Sequence, residues 1–229
     1  MSAAVKVARY VIPWPIYLAG PWLILAMTFL INLLIGAGIQ LPHGAPYRTG
    51  ALASIYICML IYTAIVSYQQ LPTGLALGVS RRSVYAGSAI LVLAVAAVSA
   101  AGLTVLELVE GATGGWGVAM YFFRVPYLFA GPWYLTLLTS FVGLALMGVW
   151  GIWFGLFYRR WSLFGLLGFT AVQSLAIAVA IVIAFRTSAW HSIAHFFTTL
   201  TVQGLTGLLA ALAVLLLAGG FATIRRVAV

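Results

Sequence analysis

The sequence predicts an all-α, polytopic membrane protein with six transmembrane helices, and three observations carry that prediction. Apolar residues make up 65% of the 229 and charged residues 6%, against ~45–50% and ~25% in soluble domains. Six apolar runs are each long enough to cross a hydrocarbon core of ~30 Å as a helix. The eleven basic residues stand in ones and twos between those runs, the pattern of loops flanking membrane spans. A soluble fold can neither hide so much apolar surface nor cover itself with so few charges. The net charge of +9 therefore does not point to nucleic acid, and none is expected as a partner. The one cysteine, Cys58, sits inside an apolar run, which leaves no internal disulfide and no redox motif.

Residues 1–229 read as a single transmembrane domain, with spans near 18–39, 51–69, 84–107, 132–157, 163–185 and 199–221. Ahead of the first, Val5, Ala8 and Ile12 recur at helical spacing with Lys6 and Arg9 turned away. They predict a short amphipathic helix on the inner leaflet, ended by Pro13-Trp14-Pro15. The run from Ile16 to Ile35 exceeds the ~7–15-residue core of a signal peptide, so it reads as a retained span. With the N-terminus inside, the inner segments hold Lys6, Arg9, Arg81, Arg82, Arg159, Arg160, Arg225 and Arg226, and the outer ones Arg48, Arg124 and Arg186. Eight against three predicts that both termini are cytoplasmic. Ala19-Gly20-Pro21-Trp22 is echoed by Ala130-Gly131-Pro132-Trp133. We read this as proline suiting a first helical turn and tryptophan an interface, rather than as an inverted repeat.

The connection between spans two and three is too apolar for a plain turn. Gln69 and Gln70 mark the interface, Pro72 is suited to open a new helix, and Gly78 to end it in a left-handed cap. Leu71, Leu75 and Leu77 beside Arg81 and Arg82 form a small apolar knob with a charged rim, as a docking element for a cytoplasmic partner requires. The competing reading is an apolar turn held by anionic lipid headgroups.

On the outer side stand His43, Glu107, Glu110, His191 and His195. The spacing of His191 and His195 would let both imidazoles reach one zinc ion. We read the group instead as interfacial polar residues, with a glutamate paired to Arg124 or Arg186, so no metal ligand is assigned. Gly114-Gly115-Trp116-Gly117 and Met120 to Phe123 form an apolar, glycine-rich loop. It reads as a re-entrant half-helix, a lid, or a segment in the headgroup layer anchored by Trp116. Asn32, Gln173 and Gln203 are embedded polar groups whose default role is hydrogen bonding between helices.

Ala76-Leu77-Gly78-Val79-Ser80-Arg81-Arg82-Ser83-Val84-Tyr85-Ala86-Gly87 resembles the coupling segment of bacterial, especially actinobacterial, ABC transporter permeases of the type-2 exporter superfamily. Gly50-Ala51-Leu52-Ala53-Ser54-Ile55-Tyr56-Ile57 and Tyr158-Arg159-Arg160-Trp161 resemble the same group. The chain departs from the commoner phenylalanine-proline opening at Leu71-Pro72-Thr73.

The resemblance implies a permease half in the bacterial cytoplasmic membrane that pairs with a second copy or a related permease. It also implies a separate pair of ATP-binding subunits, with ATP and magnesium bound there and no cofactor in this chain. Leu71, Pro72, Leu75, Leu77, Gly78, Arg81 and Arg82 would then couple to the ATPase, and spans two and five would line the pathway, nominating Tyr56, Met59, Tyr62 and Gln173. The sequence agrees that the chain is not itself an ATPase, since it lacks G-x-x-x-x-G-K-[ST] and its sole lysine is Lys6. An ion-coupled transporter would want an acidic residue deep in the bundle, whereas Glu107 and Glu110 sit at its boundary. A membrane-embedded enzyme finds no H-E-x-x-H or G-x-S-x-G here. A non-transporting scaffold leaves the knob unexplained.

Overall fold

The computed structural model describes residues 14–38, 47–76, 78–118, 120–125, 131–187 and 189–223. The expected amphipathic N-terminal helix, His43, Leu77, Arg225 and Arg226 lie outside the described residues. The described residues are mostly helical. Helix α1 spans Trp14–Gly38, a two-residue strand β1 is Tyr47–Arg48, and α2 spans Ala53–Ala76. Helix α3 spans Arg81–Ala112, β2 is Met120–Tyr121, and α4 spans Trp133–Arg186. A ten-residue helix α5, Trp190–Thr199, precedes α6, Val202–Thr223. Among the described residues, five helices are long and apolar enough to cross a membrane. In a medium without water only an element that satisfies its own backbone can do so, which is why long apolar runs settle as helices.

Two of the expected spans, 132–157 and 163–185, occur as one 54-residue helix, α4, interrupted at Trp161 and Ser162. Ser162 has φ 53 and ψ −148, a conformation that continues no helix. A straight helix of this length would run ~81 Å. Instead the rings of Phe157 and Phe169 stack at 4.2 Å, although twelve residues of straight helix would part them by ~18 Å. The chain therefore doubles back at the Arg159-to-Ser162 break, leaving a first arm, 133–160, and a second arm, 163–186.

The first arm is the centre of the bundle. Where a Cβ added to Gly151 would strike the carbonyl oxygen of Leu60, and one on Gly155 would come within 2.6 Å of that of Ala64, the backbones of α2 and α4 all but touch. Gly151 and Gly155 are four apart, the spacing that brings two helices to close approach. Gly148 admits Val92 of α3 and Met59 of α2 in the same way. Trp153 Nε1 donates to Leu216 O at 2.9 Å and the hydroxyls of Thr139 and Thr206 meet at 2.8 Å, binding α6 to the first arm at two levels.

The repeated Ala-Gly-Pro-Trp tetrapeptide does not mark equivalent places. Pro132 caps the start of α4, while Pro21 lies inside α1, where Gly20 admits the Tyr62 hydroxyl. The proline-rich break expected at Pro13-Trp14-Pro15 is partly helical, since α1 already includes Trp14 and Pro15; proline is tolerated in a first turn because the N–H there has no helical partner.

Candidate functional site

The α2–α3 elbow differs from the sequence expectation at its start and matches it at its end. No separate helix opens at Pro72: α2 runs through it to Ala76. Proline removes one N–H near a helix end, a loss confined to the last turns, where Thr73 Oγ1 also donates to Gln69 O at 3.0 Å. Gly78, at φ +74, ends the helix. Its N–H donates to Leu75 O at 3.0 Å and the Val79 N–H to Gly74 O at 2.9 Å, the paired bonds of a Schellman ending that favours glycine at this position. Ser80 then caps α3, its hydroxyl accepting from the Ser83 N–H at 3.2 Å. Gly74 lies against Val84, where a Cβ would come within 2.6 Å of a valine methyl.

The described part of this elbow is closely packed, and of the knob's three leucines it describes the side chain of Leu75 alone. Leu75 is half-buried and packs on the core, while Thr73, Ala76, Gly78, Ser80 and Arg82 are exposed. Leu71 belongs to the helix backbone. Arg81 is half-buried, and Arg82 stands 6.0 Å over the ring of Phe221 in α6. Gln70, expected at the interface, is instead buried and accepts from the Ser88 hydroxyl at 2.9 Å, tying α2 to α3 just inside the elbow. Tyr85 of α3 also donates to Leu217 O at 2.8 Å. A push on the elbow thus reaches α2, α3 and α6 together.

The four pathway candidates do not converge on one surface within the single chain. Tyr56 lies against Gly143 of the first arm, and Met59 is buried between Gly148 and its neighbours. Met59 and Tyr62 line a small void of about 20 Å³ between α2 and α3, beside Thr63, Ser67 and Ser88. Gln173 stands on the second arm, half-exposed. Gln203 is exposed on α6. Asn32 is committed to local bonds: its amide donates to Thr28 O at 2.8 Å and its Oδ1 accepts from the Tyr47 hydroxyl at 3.1 Å.

At the opposite end the glycine-rich loop folds into a cap. Gly114, Gly115, Trp116 and Gly117 all have positive φ, which three glycines permit at little steric cost. The left-handed run turns the chain so that β2 pairs in parallel with β1, Tyr47 opposite Met120. Met120, Phe122 and Phe123 are buried, and Phe29 of α1 packs on Trp116, Phe122 and Phe123. The organising group is Glu110, 0% exposed. Its carboxylate accepts from the backbone N–H groups of Phe122 at 2.9 Å, Phe123 at 3.0 Å and Arg124 at 2.8 Å, and from Trp116 Nε1 at 3.0 Å. Glu107 pairs with Arg124 at 3.6 Å, one of the pairings the sequence suggested. His195 is exposed on α5, and among the described residues no three His, Cys, Asp or Glu groups gather as metal ligands.

Comparison with protein-family models, with curated proteins and with solved structures finds no match to this chain. Sequence reasoning missed the role of Glu110. The signal available was the second of two acids at the end of a span, twelve to fourteen residues ahead of Phe122-Phe123-Arg124, with Gly114, Gly115 and Gly117 between to bend the chain back.

Proposed function

We propose that the chain is the transmembrane permease subunit of an ATP-driven exporter in a bacterial cytoplasmic membrane. In this reading it crosses the bilayer six times with both termini cytoplasmic, pairs with a second permease, and is driven by a separate ATP-binding subunit that holds ATP and magnesium. The observation that carries the reading is the elbow at residues 70–88. It is a closely packed joint at the end of the bundle that also holds Arg82, Arg159 and Arg160, and among its described residues Thr73, Ala76, Gly78 and Ser80 stand exposed beside Arg82. Closure of the partner ATPases would press on it, and Gly74–Val84 and Gln70–Ser88 would pass the displacement to α2 and α3 as one body. The first arm of α4, packed on both, would follow, moving the pathway between inward and outward openings. Both acidic side chains are engaged in the outer cap, which favours this reading over an ion-coupled transporter with an ionisable group in its bundle.

The test follows from which elbow residues are exposed. Ala76→Trp adds bulk at the surface without entering the core. The variant should insert and stay monodisperse, yet lose a co-purifying ATPase and its substrate-dependent ATP turnover. Retention of both in a folded variant would overturn the coupling assignment. Topology has its own check: reporter fusions after Arg82 and Tyr158 should read cytoplasmic and one at Gly115 external, and the reverse result would invert the orientation.

A further inference from the structure

A groove of about 450 Å³ runs along the outside of α2 and the hinge of α4, within the ~300–1,000 Å³ of small-ligand sites. Its walls are apolar, from Ile61, Ala64 and Ile65 of α2 and Phe154 and Leu166 of α4. One end is polar, lined by Tyr68, Gln69 and Tyr158. There the two tyrosine rings meet edge to face at 4.9 Å, and the Arg159 guanidinium stands 5.9 Å over the Tyr68 ring. The arginine thus stands beside Tyr68, next to the polar end of the groove.

No acidic side chain of this protein can neutralise it. The chain has two, Glu107 and Glu110, and both are engaged in the cap at the other end of the bundle. The same shortage argues against a second copy as the occupant: it would bring more apolar surface and more arginine, but no acidic side chain at this level. A phosphate joined to a hydrocarbon chain matches both halves of the groove, and tyrosine and arginine side chains are those that settle at headgroup depth. We propose that this groove binds an acidic phospholipid of the surrounding leaflet, one acyl chain along its apolar walls and the headgroup phosphate at Arg159. This rests on the reading that the helices cross a membrane, and not on the presence of an ATPase.

The test uses the full chain in mild detergent and a phosphatidylglycerol carrying a photoactivatable acyl chain, with the matching phosphatidylcholine as comparison. Phosphatidylglycerol should label peptides containing residues 60–69 and 154–166 about fivefold more than phosphatidylcholine, the gain of one interfacial arginine. Arg159→Gln should remove that preference, Arg159→Lys should keep most of it, and Arg48→Gln should leave it unchanged. Leu166→Trp, which fills the groove, should lower labelling by both lipids. Labelling spread over other faces, a preference that follows Arg82→Gln instead, or displacement by millimolar inorganic phosphate would each overturn the proposal. So would protection of the groove by cross-links between two copies. Failure to float with vesicles after carbonate extraction would instead remove the shared membrane premise. Normal labelling in a protein that captures no ATPase would leave this site standing and the exporter reading without support.

Discussion

The two arms of α4 are joined in one helix and are similarly apolar, yet they end in opposite surroundings. Thirteen residues between Thr136 and Leu156 are buried, against Ala184 alone beyond the hinge, and Phe164 is 86% exposed. Hydrophobicity does not separate them. On the proposed reading of these helices as membrane spans, apolar surface has no reason to leave lipid tails for another helix, so association depends on how closely backbones can approach. The first arm has Gly143, Gly148, Gly151 and Gly155, each occupied by a neighbour. Of the second arm's two glycines, Gly165 meets its own hinge at Trp161 and Gly168 meets nothing within 4 Å. Glycine spacing, rather than apolar content, decides which arm is core.

The largest test of this contrast is a matched pair of substitutions. Gly151→Leu forces a side chain into the backbone of α2, where the obstacle is a carbonyl rather than a flexible side chain. It should cost about 3 kcal/mol or more, seen as loss of a monodisperse detergent-solubilised protein or a sharp fall in its melting temperature. Gly168→Leu, facing open space, should stay within ~0.5 kcal/mol of the parent. Equal losses in both would mean that the second arm is as tightly packed as the first and would end the comparison.

The cap around Glu110 sharpens the comparison, because it is held by one carboxylate instead of a row of glycines. Glu110→Gln replaces an all-acceptor group with one whose amide would face N–H donors. Loss of charge-assisted bonds in a buried site should cost about 1.5–3 kcal/mol. The loss should be local: faster amide exchange at Phe122, Phe123 and Arg124, and protease cleavage within 113–125. Glu107→Gln should cost less than ~1 kcal/mol, since Arg124 is largely in solvent. A cap that keeps its exchange protection in Glu110→Gln would show that Phe29 and the buried aromatics hold it without the carboxylate.

These tests also mark how far the sequence could be read. Apolar runs located the long helices, because a long apolar segment best satisfies its own backbone as a helix, although α2 runs on to Ala76 where the span was expected to end near 69. The ends were harder. Gly78 was legible as a helix ending, since a left-handed residue there favours glycine. Pro72 misled, because a proline near the end of a long helix costs one hydrogen bond and the packing of Gly74 on Val84 keeps the chain helical. The same continuation shapes the described surface of the connection: carrying α2 to Ala76 turns Leu75 inward and brings Thr73 and Ala76 to the surface. Glu110 was hard to read as an organiser because three of its four partners are backbone amides, which leave no residue-type signature, so only the glycines that bend the chain back toward it could have pointed to the role. The break at Trp161 and Ser162 was expected from Arg159-Arg160, but nothing in composition told the packed arm from the bare one.

The smallest predicted effect concerns what fastens the bare arm to the packed one. Phe169 stacks on Phe157 at 4.2 Å and meets Phe154 edge to face at 5.2 Å. These rings bridge the two arms directly across the hinge, so the angle between the arms should depend on them. Such pairs contribute ~0.5–1.5 kcal/mol beyond the area they bury. Phe169→Ala should therefore leave the global melting transition within about 1 kcal/mol of the parent, because the first arm keeps its glycine contacts with α2 and α3. What should change is geometry. Spin labels on the exposed positions Leu138 and Val179, in a background with Cys58 replaced by alanine, should give a broader and longer distance distribution in Phe169→Ala. Phe169→Leu, which keeps bulk but not ring stacking, should fall between the two. An unchanged distribution in Phe169→Ala would mean that the backbone turn at Trp161 and Ser162 alone sets the angle, and that the second arm is positioned without help from the first.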